Sequence, residues 1–142
     1  EYKMLNKKDL LYKVTLASII EKEVRNHSES PRVSGVFYNR IKSKMKLQSC
    51  ATVQFILDKP KEQLFESDVL IDNPYNTYLY TGLPPGPICS PGYDALRAAF
   101  YPENHNYYYF VVKDPAAGTH HFSETYEEHL SAQKKYKAIK GF

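Results

Sequence analysis

Hydrophobic positions near the start of the chain recur around almost the whole circumference of one helix. Placed at intervals of about 100°, the residues predict a helix over 9–26, with Asp9 as its N-cap. Such a helix, apolar on nearly every side, is expected to be buried. The apolar positions are Leu10, Leu11, Tyr12, Val14, Leu16, Ala17, Ile19, Ile20 and Val24, and the narrow polar strip holds Thr15, Ser18, Lys22 and Arg25.

Four further helices are predicted from their start signals. Two Ser-Pro pairs open helices over residues 30–43 and 90–100, because Ser is a favoured N-cap and Pro fits the first helical position. A short helix is predicted over residues 51–57. Thr125 and Glu128 form a capping box for a last helix, which ends near Ile139.

Two strands and a long loop complete the pattern. A continuous apolar and aromatic run predicts a buried strand over 107–113, with a short partner strand over 120–122. Residues 59–90 form a long irregular segment, whose Pro and Tyr content predicts an ordered, stiff loop. The predicted fold class is α+β, with several helices packed around a small antiparallel sheet.

Composition agrees with one globular domain over residues 1–142. Of the 142 residues, 42% are hydrophobic and 25% charged, which excludes a disordered chain. The net charge of +3 is too small to predict a nucleic-acid partner. The chain has no apolar run of about 18 residues, the length that a membrane-spanning helix needs. It also lacks an initial Met, so we expect it to be part of a longer protein.

Two carboxylates in the first helix are candidates for acid catalysis. Glu21 and Glu23 sit beside apolar positions, and burial raises the pKa of a carboxyl group. A Glu that stays protonated can donate to a leaving-group oxygen, the first step of glycosidic cleavage. The alternative is that both are polar helix edges paired with Lys or Arg. Helix geometry alone does not choose between the two residues.

Other chemistries have weaker support. His120 and His121 would point to opposite faces of a strand, so they are poorly placed to share a metal ion. Cys50 and Cys89 carry no local signature of a nucleophile. In residues 82–86, Pro stands where a phosphate-binding loop needs backbone donors. We therefore expect no metal and no cofactor.

The most specific local feature is the segment Gly-Leu-Pro-Pro-Gly-Pro-Ile at residues 82–88. It follows Tyr75, Asn76 and Tyr78, so a rigid loop lies next to amide and aromatic groups that carry no charge. Sugar chains are bound by that combination, although Pro-rich turns also serve as plain scaffolds.

In their order and spacing, these motifs resemble the catalytic domain of the YceG-like endolytic murein transglycosylases. The resemblance runs from about residue 11 to residue 136. The matching segments are residues 16–23, 36–40, 47–49, 52–53, 75–78, 82–88, 91–92 and 107–112, followed by Gly118, His120, Phe122 and His129.

The resemblance implies cleavage of peptidoglycan between MurNAc and GlcNAc, as a lyase reaction without water that leaves 1,6-anhydroMurNAc ends. One Glu acts as general acid and then as base, so no second, nucleophilic carboxylate is needed. The family's catalytic residue aligns with Glu21, which leaves Glu23 a structural role.

The resemblance also suggests roles for other residues. Substrate contacts are expected from Gln48, Ser49, Asn76, Tyr78, Pro85 and Gly86. Support of the loops or of the acid is expected from Asn39, Arg40, Thr52 and His120.

One departure from the family pattern concerns the cysteines. Members usually have Asp-Pro after Leu-Gln-Ser, whereas this chain has Cys50 and Ala51. A disulfide between Cys50 and Cys89 is a hypothesis for an oxidising envelope compartment.

The resemblance places the protein on the outer face of the bacterial cytoplasmic membrane, with glycan strands as substrate and peptidoglycan synthases as partners. A membrane anchor and a small LysM-like subdomain are expected in a preceding N-terminal region. The alternatives are a peptidoglycan-binding module without turnover and a muramidase that uses water. An older family label, aminodeoxychorismate lyase, would imply pyridoxal phosphate, for which no lysine here has a suitable context.

Overall fold

The structure, a computed structural model, describes residues 5–136 and has the predicted α+β architecture. This part of the chain contains five helices and one antiparallel pair of strands, and the last helix packs against both strands. The helices are α1 (Lys7–Glu23), α2 (Ser30–Lys42), α3 (Cys50–Ile56), α4 (Tyr93–Phe100) and α5 (Tyr126–Lys135), the strands are β1 (Tyr109–Asp114) and β2 (Thr119–Ser123), and short 3-10 helices cover His27–Glu29 and Asp68–Leu70.

Helix α1 is the centre of the core, but only in its second half. Residues 15–20 are all buried, and α2 and α4 pack against this part of the helix. Leu10 and Leu11 are each 48% exposed, so the prediction that the helix is buried along its whole length is wrong. A helical wheel shows which side of a helix is apolar, but it does not show where along the axis the core ends.

The first half of the predicted polar strip of α1, Thr15 and Ser18, is also buried, whereas Lys22 and Arg25 are exposed. Ser18 is fully buried, and its Oγ donates to the carbonyl of Thr15 (2.6 Å) and accepts the N–H of Ile88 (3.0 Å). The long loop over residues 59–90 therefore closes over α1. This loop is irregular as predicted, apart from the turn of 3-10 helix at Asp68–Leu70.

Several predicted helix ends are shifted. The cap of α1 is Asn6, whose Oδ1 accepts the N–H of Asp9 at 2.8 Å, so Asp9 lies inside the first turn. Helix α1 ends at Glu23 because Val24 is already extended. Ser30 lies inside α2, with Glu29 at the cap position, and α4 begins only after Gly92. The predicted cap of α5 is confirmed, since Thr125 accepts the N–H of Glu128, whereas its predicted end near Ile139 lies outside the described residues.

The two strands form a hairpin that walls one side of the core. Phe110 pairs with Phe122, and Val112 pairs with His120. The turn requires Gly118, which has φ +70° and lies so close to Arg25 that an added Cβ would be 2.8 Å from its side chain. Over the described range, no helix is long and apolar enough to span a bilayer.

Candidate active site

Two neighbouring cavities, of ≈ 660 Å³ and ≈ 240 Å³, lie where the end of α1 meets α3 and the hairpin, and together they are called the groove. Glu23 and Cys50 line both of them. The larger cavity lies between α3, the loop after it and the turn of the hairpin, and the smaller one lies between residues 47–50, β1 and α5. Glu23 therefore sits at the junction, with open space on both sides.

The environment of Glu23 favours a protonated carboxyl group. Burial raises the pKa of Glu23, and this effect outweighs the lowering by a hydrogen bond from Ser49, by the backbone of Ala51 and by the electrostatic influence of His120. The Ser49 hydroxyl donates to Oε1 of Glu23 at 2.6 Å. This hydrogen bond holds the carboxyl group in one orientation.

Glu21 has a different place in the fold. Its Oε1 accepts the N–H of Gly92 at 2.6 Å, so the side chain ties the end of α1 to the start of α4. Glu21 lines neither cavity of the groove. The geometry therefore favours Glu23 as the acid, the reverse of the roles expected from the resemblance. The two residues face different directions because residues two apart on a helix differ by about 200°.

A buried network of hydroxyl groups fixes the position of Ser49. The Oγ1 of Thr52 donates to the carbonyl of Ser49 (2.8 Å) and lies 2.8 Å from the Oγ1 of Thr77. Thr77 in turn accepts the N–H of Ser49 at 2.9 Å. Thr52 thus has the expected supporting place, and Ser49 orients Glu23, although a sugar contact was expected for it.

The smaller cavity is lined by polar and aromatic groups. Gln48 is exposed at its edge and has a left-handed backbone, with φ 51°. The hydroxyl of Tyr78 lies 3.1 Å from the Sγ of Cys50. The rings of Tyr109 and His129 are stacked, with centroids 5.0 Å apart. Gln48 and Tyr78 therefore lie where the expected sugar contacts would have to be made.

Asn39 and Arg40, at the end of α2, hold the chain that enters β1. The Nδ2 of Asn39 donates to the carbonyls of His105 and Tyr107, both at 2.9 Å. Arg40 is buried, and it donates from Nε to the carbonyl of Tyr108 (2.6 Å) and from Nη1 to that of Lys46 (2.8 Å). The expected supporting role of both residues agrees with these contacts.

Asn76, Pro85 and Gly86, expected to touch substrate, lie away from the groove. Asn76 is fully buried and serves its own loop: Nδ2 donates to the carbonyls of Val69 (3.0 Å) and Ile71 (2.9 Å), and Oδ1 accepts the N–H of Tyr78 (2.9 Å). Pro85 and Gly86 line neither cavity. Of residues 82–88, only Ile88 lines the groove.

Replacing Asn76 by Ala is therefore expected to destabilise the fold, lowering the free energy of unfolding by about 2 kcal/mol because buried backbone groups lose their partners. Urea denaturation measures this difference. Asn104→Ala, at an exposed position, is the matched control and should change the value by less than about 0.5 kcal/mol. An unchanged stability of the Asn76 variant, with impaired sugar binding, would return Asn76 to the substrate contacts.

The hypothesis of a disulfide between Cys50 and Cys89 is wrong in this structure, where both thiols are free. Cys50 contacts Tyr78, whereas the Sγ of Cys89 donates to the carbonyl of Ser18 at 3.2 Å. Burial raises the pKa of Cys50 to about 12, so this thiol is a poor nucleophile at neutral pH.

His120 forms a close pair with Glu29, a residue that no sequence motif indicates. Glu29 accepts both the backbone N–H of His120 (3.0 Å) and its Nδ1 (2.8 Å). The two residues are 91 positions apart in sequence, and no local motif signals their contact. The pair anchors β2 to the start of α2, next to the larger cavity that His120 lines.

Comparison with known proteins gives a consistent result. The sequence profile of the YceG-like family matches residues 2–135. An endolytic murein transglycosylase of Bacillus subtilis is 41% identical over 127 residues, which are 89% of this chain and 35% of that protein. One from Streptococcus pneumoniae serotype 2 is 33% identical over 121 residues, covering 82% of this chain and 22% of that protein.

A solved structure resembles the fold as well. The crystal structure of a yceG-like protein from Listeria monocytogenes matches with a TM-score of 0.80 and 41% sequence identity, covering 84% of this chain and 39% of that one. The chain thus spans about a third or less of the length of the curated relatives described above.

Proposed function

The chain belongs to the YceG-like family, and on that premise we propose that it cleaves peptidoglycan glycan strands as an endolytic murein transglycosylase, with Glu23 as its acid. The observation that carries the proposal is the carboxyl group of Glu23, whose pKa burial raises, at the junction of the two cavities. Under this proposal the chain is one catalytic domain.

The shape of the groove supports cleavage inside a strand. A polymer cut away from its ends must leave the site on both sides of the bond that breaks. Open cavities flank Glu23 on two sides, so a glycan strand can extend in both directions from the acid. A pocket closed at one end would favour release of a terminal sugar instead.

The proposed reaction begins from a protonated carboxyl group on Glu23. The carboxyl group of Glu23 donates its proton to the glycosidic oxygen, and the bond between that oxygen and C1 of MurNAc breaks. The C6 hydroxyl of the same MurNAc bonds to C1 and loses its proton, which the single-carboxylate scheme returns to Glu23. The product is a 1,6-anhydroMurNAc end, and neither water nor a second carboxylate takes part.

The smaller cavity offers suitable partners for sugar. Tyr109 and His129 present a stacked aromatic surface, on which the apolar face of a sugar ring can pack. Gln48 and Tyr78 supply amide and hydroxyl groups at the same end of the groove. Such contacts hold a strand without requiring it to carry charge.

The proposed substrate places the site of action in the cell envelope. The outer face of the cytoplasmic membrane, an anchor in a preceding region and peptidoglycan synthases as partners belong to the same proposal.

The reaction is tested by digesting purified peptidoglycan and measuring the masses of the soluble products. We expect fragments that are one water lighter than those of hydrolysis. Fragments with reducing ends would instead show a muramidase, and binding without any product would show a non-catalytic module.

The raised pKa of Glu23 also predicts how stability depends on pH. The folded state binds this proton more tightly than the unfolded state, so the stabilisation is complete below the ordinary pKa of 4.5 and is lost as pH rises through the raised value. Gln cannot ionise. The Tm of Glu23→Gln minus that of the wild type should therefore increase with pH in thermal melts. A difference that stays constant with pH would contradict the raised pKa.

A further inference from the structure

Besides Glu23, the groove is lined by His120, whose side chain directly contacts another titratable side chain, that of Glu29. Their side chains are only 7% and 14% exposed, and Glu29 holds both the ring and the backbone of His120. The ring of Phe110 stands perpendicular to the imidazole, with centroids 5.3 Å apart. The imidazole is therefore fixed in position and in rotation.

The contact with Glu29 also fixes the two ring nitrogens. An ionised carboxylate only accepts hydrogen bonds, so Nδ1 carries the hydrogen that binds Glu29. In the neutral ring, Nε2 is then left as an acceptor. Within residues 5–136, Nε2 has no hydrogen-bond partner, and His120 lines the same cavity as Glu23.

We propose that His120 is a second proton-transfer group, whose Nε2 takes the proton from the C6 hydroxyl of MurNAc while Glu23 protonates the leaving oxygen. This inference rests on the proposed function and deepens it. The C6 oxygen bonds to C1, the bond from C1 to the glycosidic oxygen breaks, and the two protons go to different groups. The imidazolium then returns its proton to the carboxylate of Glu23 through solvent, which restores both residues for the next turnover.

The arrangement resembles other sites in which a carboxylate orients a histidine base. A hairpin anchor alone would need only the backbone N–H of His120, which Glu29 already binds. The other titratable or charged groups lining this cavity are Lys22 and Glu23 from the end of α1, Arg25 two residues after it, Cys50 from α3, and Glu62 from the loop after α3.

The test uses His120→Asn, because the Asn amide replaces the donor to Glu29 but has nothing in place of Nε2. With purified peptidoglycan as substrate, kcat is expected to fall by about 10²-fold or more. The acidic limb of the pH profile, which reports protonation of the base, should disappear. His121→Asn, an exposed position on the opposite face of β2, is the control and should retain wild-type turnover.

Two further readouts separate proton transfer from a structural role. Glu29→Gln removes the negative charge next to the imidazolium that forms during the reaction, so kcat should fall with little change in KM. Added imidazole should restore part of the activity of His120→Ala. If His120→Asn does not fold, the fall of kcat in Glu29→Gln decides the question.

The inference and the proposed function fail in different ways. If wild-type protein gives no fragments one water lighter than hydrolysis products, the proposed function fails. If it gives them, and His120→Asn keeps turnover within about threefold with an unchanged pH profile, the inference about His120 is overturned and Glu23 acts alone.

Discussion

Replacing Glu23 by Gln is expected to lower the rate of glycan cleavage by about 10²–10⁴-fold. Gln has nearly the same shape, and its amide oxygen can still accept the hydrogen bond from Ser49. It has no acidic proton to donate to the glycosidic oxygen. The loss should therefore appear in kcat, with little change in KM, when soluble products are quantified over time.

Glu21→Gln is the matched control for this prediction. Its amide oxygen can still accept the N–H of Gly92, and the side chain lines neither cavity of the groove. Activity should stay within about twofold of the wild type. A large loss of kcat in Glu21→Gln, with activity retained in Glu23→Gln, would restore the assignment expected from the family resemblance.

Replacing Arg40 by Met is expected to have the largest effect on stability, lowering the free energy of unfolding by about 4 kcal/mol. The guanidinium donates to two carbonyls on separate segments, those of Tyr108 and Lys46, and lies 4.9 Å from the ring centroid of Tyr109. Met fills much of the same space but leaves both carbonyls unpaired. Since the segments that carry these two carbonyls support the smaller cavity, the rate of glycan cleavage should also fall.

Arg32→Met, on the same helix, is the comparison for Arg40. Arg32 forms a half-exposed ion pair with Glu103, and such pairs contribute less than about 1 kcal/mol. Chemical denaturation of both variants gives the two values directly. Equal losses would mean that the buried contacts of Arg40 add nothing beyond those of a surface pair.

Much of the fold is predictable because local signals and tertiary contacts agree. The capping box at Thr125 and the aromatic run of β1 each specify their element locally. The motifs of the family occur in order along one short chain, and together they identify the α+β fold. The predicted starts of α2 and α4 were less accurate. Ser30 and Ser90 are good caps in isolation, but Glu29 and Gly92 occupy the cap positions in the structure.

The choice between the two carboxylates depended on tertiary structure. Both lie among apolar residues on the helical wheel of α1, but Gly92 binds one of them while the groove opens beside the other. For a similar reason the sequence did not indicate the loop contacts of Asn76, whose expected sugar contact stays a prediction. An amide next to tyrosines suits a sugar, but it equally suits three backbone partners inside a loop.

The most direct measurement is mass spectrometry of the soluble products that wild-type, Glu21→Gln and Glu23→Gln proteins release from purified peptidoglycan. We expect fragments one water lighter than hydrolysis products from the wild type and from Glu21→Gln, and none from Glu23→Gln. The same fragments at undiminished rate from Glu23→Gln would contradict the assignment of the acid.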